Sequence, residues 1–167
     1  MQRPIIDIPL EPLDRLLEFI ALVSLAALVL LPILYFEQLP EKIPSHFGPG
    51  GLPDGYSDKS IIWLLPFIGA IIYFALSWIN KSPHTFNYPQ KITEQNAERL
   101  YRTATQMMRN LKALIVGVFA YITFVTIHVA LGNLSGLGKL FTPVFFAAFL
   151  GIVGYGLYQS LLKEEGV

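Results

Sequence analysis

Residues 16–36 read LLEFIALVSLAALVLLPILYF, with Glu18 as the one charged side chain. At 1.5 Å of rise per residue, a run this long crosses ~30 Å of hydrocarbon as a single helix. Glu37-Gln38-Leu39-Pro40 closes it on one side. On the other stands MQRPIIDIPLEPLDR, with acids and prolines where a cleavable leader would carry a basic start and a short apolar core. The run is therefore expected to stay in the protein as a first span. Three further blocks repeat the pattern, at Ile61–Ile79, Ala113–Leu131 and Leu140–Leu162. Of the 167 residues, 53% are hydrophobic and 14% charged, and the mean hydropathy is +0.52. A soluble domain keeps about a quarter of its residues charged, so too little polar sequence remains to cover four buried helices in water. The expected fold is all-α and membrane-integral: one domain over residues 1–167, a four-helix bundle with an ordered outer loop at 37–60 and a cytoplasmic amphipathic helix at 93–112.

Lys and Arg in the connections set the orientation. Arg3, Arg15, Lys81, Lys91, Arg99, Arg102, Arg109, Lys112 and Lys163 fall on one side, and Lys42, Lys59 and Lys139 on the other. Both termini are thus expected in the cytoplasm, with the first and third connections outside, in the bacterial cytoplasmic (inner) membrane. Glu18, one turn inside span one, is expected to reach the headgroups, and His128 lies one turn from the outer end of span three. Pro32 and Pro66 are expected to kink their spans. Ala147, Gly151, Gly154 and Gly156 predict close packing of span four, within the bundle or against a second copy.

The charge balance of twelve basic and twelve acidic residues gives no field for nucleic acid. The absence of cysteine excludes disulfides, thiolate metal sites and cysteine nucleophiles. Between spans two and three, Ala97, Leu100, Tyr101, Ala104, Met108 and Leu111 follow helical spacing, with Thr93 as the expected N-cap. Arg99, Arg102 and Arg109 are placed on the polar face of this helix, a basic face suited to anionic lipid or a cytoplasmic protein partner. No proline or glycine separates it from span three. The preceding SPHTFNYPQK reads as an ordered turn.

The first connection, EQLPEKIPSHFGPGGLPDGYSDKS, carries prolines at 40, 44, 49 and 53 and glycines at 48, 50, 51 and 55. Such density describes a chain of defined turns, from which Ile43, Phe47, Leu52 and Tyr56 are expected to bury themselves on the bundle or dip into the interface. Candidates for a ligand or partner contact here are Pro44, His46, Phe47, Pro53, Asp54, Gly55 and Lys59. Two imidazoles, His46 and His128, with Asp54 and Asp58, are of the right chemistry for a divalent transition metal, although no recognised ligand spacing is present. In the bland alternative His46 bonds a turn carbonyl, Asp54 and Asp58 close Asx turns, and Lys59 snorkels. No catalytic constellation emerges: Ser24 and Ser77 lack a base nearby, no span holds a central aspartate, and no His-Glu-x-x-His helix occurs.

This connection resembles a bacterial family of membrane domains of unknown function, with the pattern Leu-Pro-x-x-Ile-Pro-x-His-Phe, then Gly-x-Pro-Asp-Gly, then Lys. Leu39, Pro40, Ile43, Pro44, His46, Phe47, Gly51, Pro53, Asp54, Gly55 and Lys59 carry the match. Phe86-Asn87-Tyr88-Pro89 with Ile92-Thr93-Glu94 and Asn96 resembles a second element. The same domain forms the N-terminal part of SdpI-type proteins, which protect bacteria from a secreted toxin and recruit a repressor. The resemblance implies binding and signalling, or peptide-toxin immunity, through the outer loop, toward an extracytoplasmic peptide or envelope component. An accessory structural subunit of a membrane complex and a small transporter subunit stand as alternatives, and homo-oligomerisation is open to all three. No cofactor is expected beyond the metal just named.

Overall fold

The computed structural model describes residues 3–162; Lys163, counted above among the basic residues, lies outside them. The protein is mostly helical, with four helices long and apolar enough to cross a membrane. In chain order they are α1 (Pro12–Tyr35), α2 (Leu64–Ile79), α3 (Ala97–Ala130) and α4 (Phe141–Leu161), with strands β1 (Lys42–Phe47) and β2 (Pro53–Asp58) between the first two.

Helix α3 is the central element. Its 34 residues make it ~51 Å long, and α1, α2 and α4 all pack along it. The segment 97–112 and the third apolar block are thus one unbroken helix. Its regular turns begin at Ala97, one turn after Thr93, whose carbonyl accepts the Ala97 N–H and whose side chain takes part in the reciprocal exchange of a capping box. The Thr93 N–H donates to Asn96 Oδ1 and the Asn96 N–H to Thr93 Oγ1, so the exchange forms a turn before Ala97. In hydrocarbon no hydrophobic force drives helices together, and close contact depends on small residues and polar bonds. Ala21, Ala113 and Ala120 are buried accordingly, and Ala120 packs with Leu28 and Val116. Pro66 falls in the first turn of α2, after a 3-10 turn over Lys59–Trp63. A missing N–H costs nothing there, so the kink expected at this proline is not required.

Helix α4 packs on α3 and leaves most of its surface open, with Val144, Leu150, Tyr155 and Tyr158 all above 60% exposed. Gly151 and Gly154 have no atoms against the position a side chain would fill, whereas Gly156 meets Met107. Of the predicted small-residue stripe, only the end at Gly156 is used inside the bundle.

The first connection is a two-stranded antiparallel hairpin rather than a chain of turns. Lys42 pairs with Asp58, Pro44 with Tyr56, His46 with Gly55 and Phe47 with Pro53, so Ser45 and Asp54 are each bulged out of register. Ile43 is fully buried with Leu39, Ile62 and Ile127, fixing the hairpin to α3. Phe47 is half-buried, whereas Leu52 and Tyr56 stand clear of the bundle, which leaves the membrane interface as the place for them.

Polar contacts collect the remaining segments at the two ends of the bundle. At the basic end, Arg3 donates to the His84 and Phe86 carbonyls, the Tyr101 hydroxyl to Pro4 O, and Gln90 to the carbonyls of Ser160 and Leu162. At the hairpin end, the Leu137 N–H donates to Gly51 O at 2.7 Å and the Tyr121 hydroxyl donates to Leu137 O. The N-terminal segment, the α2–α3 connection and the end of α4 therefore share one end. The hairpin and the α3–α4 connection share the other.

Candidate functional site

The two bulges determine what the hairpin presents. A bulge bends its strand and re-aims a side chain, and those at Ser45 and Asp54 bring His46 Nδ1 to 2.5 Å from Asp54 Oδ1. Both side chains remain more than half exposed. The Ser57 hydroxyl donates to Ser45 Oγ at 3.0 Å across the strands. Asp58 is occupied elsewhere: its carboxylate accepts from the Ser60 N–H at 2.8 Å, and that backbone hydrogen bond holds its carboxyl below the usual carboxylate range. Lys59 Nζ sits 5.0 Å from the centre of the Phe36 ring. His128 lies among rings, 4.3 Å from Phe124 and 5.8 Å from Tyr35 by centroid, with Asn133 Nδ2 3.3 Å from its Nδ1. Among the described residues, no three His, Asp or Glu side chains gather as a group able to hold a metal ion. Of the four metal candidates, His46 and Asp54 meet, while Asp58 and His128 have other partners.

Beneath β1 lies a cavity of about 300 Å³, the lower end of the range that holds small ligands. Pro44, Ser45, His46 and Phe47 form its roof. Ile61, Ile62, Leu64 and Leu65, leading into α2, make one wall, and Leu137 and Phe141, leading into α4, make another. Ile122, Thr123 and Thr126 of α3 are its floor. Three of the seven residues proposed from sequence for a ligand contact line this space; Pro53, Asp54, Gly55 and Lys59 do not. The two threonines drew no attention in the sequence, since hydroxyls spaced i, i+3 in an apolar span are unremarkable until a cavity opens beside them.

At the basic end the three arginines are engaged within the chain. Arg99 donates to the Gln159 and Leu162 carbonyls, completing the last turn of α4. Arg102 Nη1 meets Glu11 Oε1 at 2.6 Å and its Nη2 meets Glu98 Oε1 at 3.4 Å. Both line a groove of about 600 Å³ between α3 and α4, with Gln106, Asn110, Tyr155 and Gln159. In the α2–α3 connection, burial pushes the Tyr88 hydroxyl well above the usual phenol range, and it donates to Pro83 O.

Arg109 does not lie on the polar face with the other two. It is 7% exposed, with Nη1 3.2 Å from Asp14 Oδ1 and Nε 3.6 Å from Glu18 Oε1. Lys112, 1% exposed, donates to Glu18 Oε2 at 2.6 Å and to Ser77 Oγ at 2.8 Å. Glu18 is therefore paired with both bases across the helices, with one-third of its side chain still exposed. Lys112 stands ~27 Å along α3 from Ala130, so a ~30 Å slab beginning at the hairpin end places this network at its far edge. A sequence signal was present: acids at i, i+4 on α1 match bases at i, i+3 on α3.

Comparison with known proteins covers part of the chain. Residues 22–70 match the family described as Domain of unknown function (DUF1648), a stretch running from α1 through the whole hairpin into α2. An "Uncharacterized protein" of Archaeoglobus fulgidus is 36% identical over 86 residues, which is 50% of this chain and 47% of that protein. The match thus spans about half of each chain. No solved structure matches.

Proposed function

We propose that this chain is a binding protein of the cytoplasmic membrane, oriented with both termini inside, whose hairpin end recognises an extracytoplasmic peptide or envelope component. The supporting observation is that Pro44, His46 and Phe47 roof a preformed, mostly apolar cavity within the segment that carries the family match. Resemblance of the hairpin sequence to SdpI-type proteins favours an immunity or signalling outcome of such binding. Nine of the twelve basic residues on the N-terminal side support the orientation, and the basic helical segment at 97–112 is then cytoplasmic. The test is survival of cells expressing the wild type, no protein, or a His46→Ala/Asp54→Ala variant, under a panel of membrane-active peptides. Protection by the wild type that the variant loses supports the proposal. Equal survival of all three strains against every peptide refutes it.

A second reading, an accessory subunit of a membrane complex, is favoured by α4, where Gly151 and Gly154 face open space on a largely uncovered helix. Native mass spectrometry from mild detergent separates the two. A heteromeric mass supports the subunit, and a monomer of about 18.7 kDa argues against it.

A further inference from the structure

The floor of the hairpin cavity contains a polar group that the protein's own packing does not satisfy. Thr123 is 1% exposed and lines the cavity. Its Oγ1 is buried with no hydrogen-bond partner among the described residues. A threonine in an apolar helix ordinarily returns its hydroxyl to a carbonyl one turn back, and a buried hydroxyl left without a partner is costly. An unpartnered hydroxyl on a residue that lines a cavity gains its missing hydrogen bond when its side chain turns toward an occupant. Thr126, on the next turn of α3 and 6% exposed, borders the same space.

The rest of the lining limits what can enter. It holds no Asp, Glu, Lys or Arg, so an ionised head would be buried without a counter-charge. His46 has its Nδ1 engaged by Asp54. Ile61, Leu65, Ile122 and Phe141 supply apolar surface for a chain or ring. The hairpin that carries the roof is tied to the α3–α4 connection by the Leu137–Gly51 bond, and the two walls run into α2 and α4, which each pack on α3. From these features we infer that the cavity takes a neutral single-chain amphiphile resident in the bilayer, entering sideways between α2 and α4. Its uncharged hydroxyl or carbonyl bonds Thr123, and its apolar chain lies along Leu65 and Phe141. The inference rests on the reading of the hairpin end as a binding face and names the ligand class for it.

The test uses the whole protein in phosphatidylcholine nanodiscs and hexadecanol carrying a mid-chain diazirine. Irradiation should give saturable labelling of peptides containing Ile122–Thr126 or Phe141, competed by unlabelled hexadecanol and about tenfold less well by hexadecane or palmitate. Thr123→Val should weaken the labelling about tenfold while leaving the melting temperature of the empty protein unchanged or higher, because it removes an unsatisfied hydroxyl. Ile61→Trp, which fills the space from the α2 side, should suppress labelling in a protein that still folds. Labelling that never saturates and spreads over all lipid-facing helices overturns the inference. So does a Thr123→Val variant that melts lower yet labels as before, since the hydroxyl is then structural. If a diazirine-bearing apolar peptide labels the cavity and hexadecanol does not, the ligand class falls while the binding face stands. If hexadecanol labels as expected but His46→Ala/Asp54→Ala cells survive peptides as well as wild type, the proposed function falls and the site remains.

Discussion

Replacing Lys112 by Met should destabilise the bundle. The side chain is 1% exposed, and its Nζ reaches Glu18 Oε2 at 2.6 Å and Ser77 Oγ at 2.8 Å. It also lies 5.0 Å from the Tyr73 ring. At an effective dielectric of ~20 the Lys–Glu attraction alone is roughly 6 kcal/mol, most of it offset by desolvation of the two charges. Breaking a buried pair from one side typically costs about 3–5 kcal/mol, because the other charge is stranded. Glu18 is one-third exposed and keeps a second cation, Arg109, at 3.6 Å. These two facts move the expectation to the low end, about 3 kcal/mol, or a melting shift of about 6–12 °C for a chain of this size. Thermal unfolding in a mild detergent, followed by circular dichroism, measures it. A Glu18→Leu/Lys112→Met double variant should lose less than the sum of the two single variants, since each strands what the other removes. A single-variant shift below about 2 °C would mean that water reaches the network, and the burial argument would be wrong.

Arg99→Met should loosen the last turn of α4 by about 1.5–3 kcal/mol through loss of charged bonds to two carbonyls; faster amide exchange confined to residues near Gln159 would show it. Gly51→Ala should destabilise the hairpin by about 2–3 kcal/mol. Gly51 has φ of 77°, and an added Cβ would stand 2.5 Å from Gly138 O; unchanged unfolding would contradict the staple between hairpin and α3–α4 connection. Asp58 predicts a pH dependence. Its folded pKa is depressed, chiefly by the Ser60 backbone N–H, so its contribution is complete above the ordinary value of 3.8 and is lost as pH falls through the lower folded value. The Ser60 amide chemical shift should stay flat from pH 7 to about 4 and move only below that; a midpoint above 4 would reverse the sign.

The four long apolar helices were legible because their signal is composition over a length that matches a bilayer, which tertiary contacts do not override. The continuity of 97–112 with the third block was legible for the same reason, as no helix breaker intervenes. The hairpin was not. Pro44, Gly48, Pro49, Gly50, Gly51, Pro53 and Gly55 dominate the local statistics as turn formers, the bulge in β1 breaks its alternation, and β2 alternates in exposure but carries Gly55 and Ser57 where a strand would show apolar residues. The ion network was not legible because a lysine at a span boundary reads as a flank. Only the opposing helix reveals that Asp14 and Glu18 wait across from it. His46 and Asp54 were identified individually, and their bonding depends on register. The cavity, and Thr123 within it, comes from the juxtaposition of four segments distant in sequence.

The central claim is that the hairpin and its cavity face out of the cell. The cysteine-free chain allows it to be tested with single substitutions in intact cells. Gly50→Cys sits at an exposed turn where an added Cβ meets no atom within 4 Å, and Asn87→Cys is exposed at the opposite end. With a membrane-impermeant maleimide, Gly50→Cys should label in intact cells and Asn87→Cys only after permeabilisation. Labelling of Asn87→Cys in intact cells, with Gly50→Cys protected, would invert the protein in the membrane and remove the basis for extracytoplasmic recognition.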